Sequence, residues 1–507
     1  MPHLSFCESR GRVKNSFFTL PLLSALLLCL LTIPKAQAND DDTRFIQDQT
    51  RRSIQQQSQA EQELAAPPGT LMYEGQRYQV ASTLESLTPA IYVAINTSQW
   101  SQLPEFVERY RALPGHRPAL ANMADSLYAR FLGKYPQALR LMEQASEQEP
   151  QDARIQLELA RLWFEDHQER RAAKGFARVL GMGLPEQAQM LVAQYQQAMA
   201  IRDRWHGSAA LGWGRNDNIN QANGYYSCLS SFAGICLFER QMPEPIASRM
   251  NNYELSLQRR FNLAGNHNLH LQPMSYGSYY SKTNDAPNAS LKDYSTNLAI
   301  VQAGYQYLDV RNSLTLLPYV EHYYRNRASE YMAHGLQLEA RRSLSQKWQI
   351  GTSLDSKRYE YTRKGKQLGA NYAMHQWGLN LSYSPRANTS LYGGVTASRH
   401  KYEVDQASSK DWSARVGVYQ GFAGRAGLFV NALAIYRETR HDAYDFFLGE
   451  QRRDRQQLYI LSAGANGWQL AGLTPEIRVR HNINRSNIGW AFDFEQTEVS
   501  LMLRKSF

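Results

Sequence analysis

From Gly207 to the C-terminal Phe507 the chain changes sides at every residue, in one segment after another. "WQIGTSLDSK" sets Trp348, Ile350, Thr352 and Leu354 against Gln349, Gly351, Ser353 and Asp355. "QWGLNLSYS" sets Trp377, Leu379, Leu381 and Tyr383 against Gln376, Gly378, Asn380 and Ser382, and "PEIRVRHNIN" alternates Ile477, Val479 and Ile483 with Arg478, Arg480 and Asn482. A period of two is that of a β-strand, whose neighbouring side chains point to opposite faces. About fourteen such segments follow one another, joined in turn by tight connections ("LAGNHN", "SPRAN", "FAGRAG") and by longer loops. Strands of roughly ten residues in this arrangement predict a transmembrane antiparallel β-barrel.

A barrel also accounts for the polar composition. The mean hydropathy is −0.54, and beyond Ala38 no apolar run approaches the roughly 20 residues that a spanning helix needs. Closing a sheet on itself pairs every backbone donor and acceptor between strands, so no polar edge meets lipid, and half of each strand is free to face a wet or protein-filled lumen. A soluble sandwich or propeller needs a dry core on that face instead. Trp213, Tyr279, Trp348, Trp412 and Tyr459 stand near strand ends, as interfacial girdles require. The formal charge of +10 comes from scattered rather than striped Lys and Arg, so nucleic acid is not an expected partner.

The first residues read as an address. Arg10, Arg12 and Lys14 precede the apolar run "SFFTLPLLSALLLCLLTIP", and Ala36-Gln37-Ala38 follows as a small-residue cleavage site. This predicts a secretory signal over 1–38, with the mature chain starting at Asn39. Of the 4 cysteines, Cys7 and Cys29 fall in the signal. Cys228 and Cys236, in "YYSCLSSFAGIC", are expected to form a disulfide in an oxidising compartment; a metal site is the alternative, with no His or further Cys close in sequence to support it.

Residues 39–82 are polar, ending in a short extended piece, "LMYEGQRYQVAS". Over 83–205 the period becomes helical. Asp152 lies 34 residues after Pro118, the spacing of a tetratricopeptide repeat. Gly133, Tyr135, Ala138 and Ala145 occupy favoured positions in one unit, Ala172 and Phe176 in the next, small residues admitting close helix approach and large ones filling between. "YVAINTSQWSQLPEFVERYRALPG" reads as an earlier, eroded unit. Such repeats stack into a surface that holds peptide or protein.

The expected architecture is therefore an N-terminal all-α tetratricopeptide-like domain followed, over 206–507, by the barrel. An even strand number leaves both barrel ends on one side, and short turns belong to the periplasm. The helical domain is expected there, with the Cys228–Cys236 lobe outside the cell. The ending "EVSLMLRKSF" places Val499, Leu501, Leu503 and Phe507 on one face. A last strand of this kind, ending in Phe, resembles the signal read by the barrel-assembly machinery through β-augmentation; Lys505 departs from it.

The hinge "AALGWGRNDNINQA" narrows the field. Asn216, Asp217, Asn218 and Asn220 at the outer end of the first strand resemble the D/N-x-N-[VI]-N-x-A signature of the surface lipoprotein assembly modulators, and "QRYQVASTLESLTPAIYVAINTSQW" is similar to that family's approach to its helical domain. Read without the family, the Asn cluster is a run of Asx turns ending a strand. The resemblance covers nearly all of the mature chain. It implies an outer-membrane translocon that moves clients, surface lipoproteins or a secreted haem- or iron-acquisition protein, from periplasm to cell surface. It implies no cofactor. Outer-membrane lipid and lipopolysaccharide are further expected partners, "RKGK" (363–366) and "RRDR" (452–455) being read as outward loops. No G-x-S-x-G, H-E-x-x-H or G-x-x-x-x-G-K-[ST] motif occurs, and His375, His400 and His441 read as lumen or rim residues, so an enzyme is not expected. The alternative is a porin or specific channel with a docking module, its lumen carrying Arg341, Lys357, Arg415, Arg478 and Arg480 opposite Glu339 and Asp355.

Overall fold

The computed structural model of the chain describes residues 70–73, 76–282 and 290–507. The expected signal over 1–38 and the polar stretch that follows it up to residue 69 lie outside the described residues. The extended piece forms a hairpin of β1 (Thr70–Tyr73) and β2 (Gln76–Gln79), from which Leu71 and Val80 are buried against the first helices.

Seven helices follow: α1 (Leu84–Asn96), α2 (Leu103–Arg111), α3 (Pro118–Phe131), α4 (Tyr135–Gln148), α5 (Ala153–Glu165), α6 (Glu169–Leu180) and α7 (Glu186–Arg202). Local sequence sets their starts. Thr83 accepts from the Ser86 amide ahead of α1, Asp152 accepts from the Arg154 and Ile155 amides ahead of α5, and α2, α3 and α4 each carry Pro in the first turn, where no amide partner is lost. The hairpins α3–α4 and α5–α6 are the two repeat units, and α1–α2 is the eroded third. Ala138, Ala145, Ala172 and Phe176 are all fully buried, and Tyr135 is half-buried. Two clusters hold the stack: Leu87, Phe106, Leu120, Met142 and Ile155 in the larger, Ala172, Phe176, Val179 and Val192 in the smaller. Each large apolar side chain so enclosed contributes about 1.5–3 kcal/mol.

The chain then passes into a closed barrel of 14 antiparallel strands. In chain order the strands are β3 (His206–Asn216), the extra-barrel hairpin β4 (Tyr226–Phe232) and β5 (Ile235–Gln241), β6 (Ser248–Ala264), β7 (His267–Lys282), β8 (Thr296–Leu308), β9 (Asn312–Arg325), β10 (Ala328–Ser343), β11 (Trp348–Tyr361), β12 (Tyr372–Arg386), β13 (Thr389–Tyr402), β14 (Ser409–Gly421), β15 (Leu428–His441), β16 (Arg453–Ala465), β17 (Thr474–Ser486) and β18 (Phe494–Ser506). Every neighbour is also the next barrel strand in sequence except at the seam, where β18 pairs with β3.

The alternation sorts as the pattern demands. Val499 and Leu501 on β18 are each 47% exposed on the outer face, whereas Glu498, Ser500 and Met502 are buried inside. The outer face is thus apolar and the inner face polar, the inverse of a soluble sandwich. Connections of two or three residues (265–266, 309–311, 387–388) lie at the end that carries the helices, and long ones (217–247, 362–371, 442–452) at the other. The alternation of loop length is not strict: 466–473 on the helix side is longer than 487–493 on the far side, and β9 and β10 are joined at the far end by Asn326 and Arg327 alone, at φ 48° and 55°, the left-handed pair that a two-residue hairpin turn requires. The reading of "RRDR" as a loop also changes. Arg453 and Arg455 begin β16, and Arg452 turns to Asp454 at 2.8 Å with its guanidinium 3.4 Å from the centre of the Phe492 ring. Cys228 and Cys236 are joined as a disulfide across β4–β5.

Candidate functional site

Three features lie along one line through the molecule: the junction between helices and barrel, the lumen, and the outer end of the seam.

The junction is built from the α5–α6 connection. Asp166 and Gln168, in that connection, are buried. The Asn266 side-chain Nδ2 in the β6–β7 turn donates to the Asp166 Oδ2 at 3.2 Å, and the Val310 backbone amide in the β8–β9 turn donates to its Oδ1 at 3.4 Å. At the start of α6, Glu169 accepts from Arg202 of α7 and Arg260 of β6, both at 3.1 Å. Arg202 lies 3.8 Å from the Phe164 ring centre, so one guanidinium ties α5, α6 and α7 to the barrel's anchor. Arg259 reaches Asp203 at 3.3 Å. Gly133 turns the chain between α3 and α4, within the first repeat hairpin, at φ +70°, and a methyl group there would overlap the Arg311 guanidinium of the β8–β9 turn. The glycine therefore answers both a left-handed turn and a close approach.

Electrostatics at the junction depend on burial. Desolvation holds His167 below the usual histidine range, so the imidazole is neutral beside Glu169, 3.9 Å away. Burial by itself raises the Glu169 carboxyl, but the His167 side chain and the Arg202 and Arg260 charges outweigh it and leave it below the usual range. Behind this clamp a cavity of about 570 Å³ opens into the lumen, lined by His167, Arg202, Arg259, Arg260, Arg311 and Arg341 among others. Asp309 is the acid on that lining. The mouth of the barrel is a basic vestibule roofed by the helical domain.

Farther in, the lumen is filled by paired groups rather than by water-facing charges. Arg478 meets Glu254 at 2.5 Å and Glu476 at 3.2 Å, and Arg504 joins both acids at 2.7 and 3.2 Å. Lys357 meets Glu321 at 2.7 Å, and Arg341 pairs along its own strand with Glu339 at 2.6 Å. Asp355 takes the Tyr319 hydroxyl at 2.8 Å, and Arg415 meets the Asn380 carbonyl. Toward the outer end Tyr359, Tyr372 and Tyr402 stack at 4.1 and 4.4 Å between ring centres, with Tyr331 edge-on to Tyr359 at 5.1 Å. Buried ion pairs of this kind are strongly destabilised when one partner is removed.

The Asn cluster sits where the seam closes. Asn218 donates to the carbonyls of Ala222 at 2.7 Å and Glu495 at 2.8 Å, and accepts from the Ala222 amide at 3.0 Å. Asn216 accepts from the Asn218 amide at 2.9 Å. Asp217 accepts from the Thr497 amide at 2.6 Å, and Asn220 links the Glu244 carbonyl to the Ile246 amide at 2.8 and 2.9 Å. The cluster therefore forms local Asx turns and, in addition, binds the first strand to the last. At the other end of the seam the Gly207 and Phe507 amides exchange backbone hydrogen bonds at 2.9 and 3.1 Å. Between them β3 presents Ala210, Gly212 and Gly214 inward; a methyl on Gly212 would run into Met502 and Asn252. Leu503 is half-buried and Phe507 is 50% exposed. Sequence spacing gave no sign of the junction residues Asp166, Glu169, Arg202, Arg260 and Asn266, because their partners lie on separate elements and carry no motif.

Among the described residues no group of three or more His, Cys, Asp or Glu is placed to hold a metal. The histidines are dispersed: His375 meets Ser356 at 3.0 Å on the outer face, His400 lies 3.4 Å from Asp411, and His441 meets the Gln406 carbonyl.

Comparison with known proteins agrees with this plan. Residues 205–507 match the family model described as surface lipoprotein assembly modifier, and residues 73–176 match the model for its N-terminal tetratricopeptide repeats. A hemophilin secretion modulator of Acinetobacter baumannii is 25% identical over 95% of this chain and 99% of its own length. Surface lipoprotein assembly modifier 2 of Neisseria meningitidis is 24% identical over 78% of this chain and 82% of its own. Among solved structures, the outer-membrane protein OpdK of Pseudomonas aeruginosa aligns with a TM-score of 0.33 at 11% identity, over 60% of this chain and 99% of its own. With a closed outer-membrane barrel matched over its whole length and a periplasmic repeat domain before it matched as far as residue 176, the chain belongs to the surface lipoprotein assembly modifier family.

Proposed function

We propose that this protein is the outer-membrane step of a protein-export route, receiving a client in the periplasm on its helical repeats and delivering it to the cell surface through its barrel. The observation that carries the reading is the junction: the repeat domain is bound by buried polar contacts to two periplasmic turns, directly over a basic cavity that opens into the lumen. The relatives' names, a hemophilin secretion modulator and a surface lipoprotein assembly modifier, point to a client that is a secreted haem-binding protein or a surface lipoprotein. Membrane insertion through the face formed by Val499, Leu501, Leu503 and Phe507, read by the barrel-assembly machinery, belongs to the same reading. The division of labour is tested by deleting residues 39–200, which should abolish client display and leave a heat-modifiable barrel; unchanged display refutes it.

The basic vestibule also favours a second reading, an anion-preferring channel. Single-channel recording in planar bilayers separates the two. Steady anion-selective conductance without any client supports the channel, and a silent barrel with client-dependent display supports export.

A further inference from the structure

One arrangement on the outside of the barrel has no place in export. Four cations stand directly opposite one another on consecutive strands: Arg399 of β13 pairs with Lys410 of β14, Lys410 with Arg440 of β15, and Arg440 with Arg453 of β16. His375 of β12 extends the row by pairing with Arg399. All lie on the outward face within three residues of the strand's extracellular end. Like charges directly opposite on one sheet face destabilise it, and the carboxylates here answer half of them. Asp442 takes Arg399, its Oδ1 lying 2.6 Å from Nη1, and Glu438 takes Arg440 at 2.7 Å. Lys410 and Arg453 remain exposed. A row of this kind at the membrane surface attracts an anion.

The surface just below supplies the other half of a ligand. Ala397 is flanked in register by Trp377 on one side and Trp412 on the other; the two indoles are 44% and 46% exposed. A small residue between two large ones leaves a slot on the lipid face, with Leu354 opposite Trp377 at the same level and Leu379 and Val395 in register two residues farther toward the bilayer centre. The hollow bordered by Leu354, Trp377, Ala397 and Trp412, and capped by His375, Arg399, Lys410 and Arg440, has a volume of about 1010 Å³. Arg399 is two residues above Ala397 on the same strand, roughly 6–7 Å at strand rise, the offset between a phosphate at the membrane surface and the first carbons of its acyl chains.

We propose that this patch is a binding site for lipid A, the phosphorylated acyl-glucosamine of the outer leaflet. Its phosphate lies against Lys410, Arg453 and the flanking guanidiniums, and an acyl chain lies over Ala397 between Trp377 and Trp412. Charge-assisted hydrogen bonds from Arg and Lys to phosphate oxygens are the strong class of such contacts, and the acyl chain adds van der Waals packing in the slot rather than transfer from water. The extracellular position of the row selects this lipid over those of the inner leaflet. The proposal rests on the barrel's orientation and not on its export role.

The test uses the full-length protein in nonionic detergent, with added lipid A followed by native mass spectrometry. Wild type should retain the lipid. Lys410→Gln/Arg453→Gln, which disturbs neither ion pair, should weaken retention at least tenfold, and so should Ala397→Phe, which fills the slot without altering charge. Heat-modifiability in the absence of lipid should match wild type in both variants. Fully dephosphorylated lipid A and phosphatidylglycerol should be retained at least tenfold more weakly than lipid A. Failure of wild type to retain lipid A overturns the proposal, as do equal retention by the charge variant or equal retention of either control lipid. Client display, measured separately on cells, reports on export, so the two readings fail independently.

Discussion

At the scale of single residues, Asn218 and Glu169 carry more than their sequence context announces. Asn218 uses both ends of its amide, and its partners lie on the loop it begins and on the strand that closes the barrel. Replacement by Ala leaves buried backbone groups unmet and should lower stability by about 1–3 kcal/mol, read as a lower midpoint in the temperature-dependent mobility shift on SDS gels. An unshifted midpoint would mean that the cluster only shapes a turn. Glu169 and His167 give the junction a pH dependence of definite sign. The Glu169 carboxyl is depressed on folding from a starting value of 4.5, so its contribution is present above that value and fades as pH falls through the lowered one. His167 is depressed from 6.5 and is held neutral, so protonating it on acidification also opposes docking, beginning near pH 6.5. Both act in one direction. Hydrogen exchange in the turns 265–266 and 309–311, corrected for the intrinsic effect of pH, should stay slow at pH 7.5 and quicken below about 6.5. Protection that is flat or increases toward pH 5.5 contradicts this account.

At the scale of elements, the alternation made the strands legible and the repeat spacing made the helix pairs legible, each for a physical reason. A strand in lipid must present apolar groups at every second position, so Trp348, Leu354, Trp377 and Leu501 announce their face. A stacked helix pair must keep a small residue where its partner crosses, as at Ala138 and Ala172. What resisted reading was set by partners distant in sequence. Asp166 meets a turn 100 residues away and Arg478 meets Glu254 across 224; no local pattern encodes such pairs. The row of Arg399, Lys410, Arg440 and Arg453 escaped for the same reason, since each cation is unremarkable on its own strand. The lipid face gives an element-level prediction: Leu501→Arg in β18 places a charge against hydrocarbon and should cost about 2–4 kcal/mol near the bilayer midplane, seen as reduced folded barrel in purified outer membranes. Undiminished folding would place Leu501 away from lipid. The Cys228–Cys236 bond joins cysteines at a sequence separation of 8 within a hairpin that pairs with no barrel strand. Cys228→Ser/Cys236→Ser should therefore leave barrel heat-modifiability unchanged while the hairpin becomes more sensitive to protease added to intact cells. Loss of the folded barrel would show that the hairpin supports the wall.

At the scale of the whole molecule, the parts are ordered along one axis: repeat domain, buried polar clamp, basic vestibule, ion-paired lumen, and a seam laced at its outer end by Asn216 to Asn220. The arrangement places the client-receiving surface and the membrane passage in one chain, with the clamp fixing how they face each other. The central claim is that export requires this docking. Arg260→Glu/Asn266→Asp sets two carboxylates against Glu169 and Asp166 from the barrel side and leaves the helices untouched. The most direct measurement is protease sensitivity of a co-expressed client on intact cells bearing wild type or this variant in equal amounts, both verified as heat-modifiable barrels. The account predicts at least a tenfold loss of surface client with the undocked variant; display equal to wild type contradicts it.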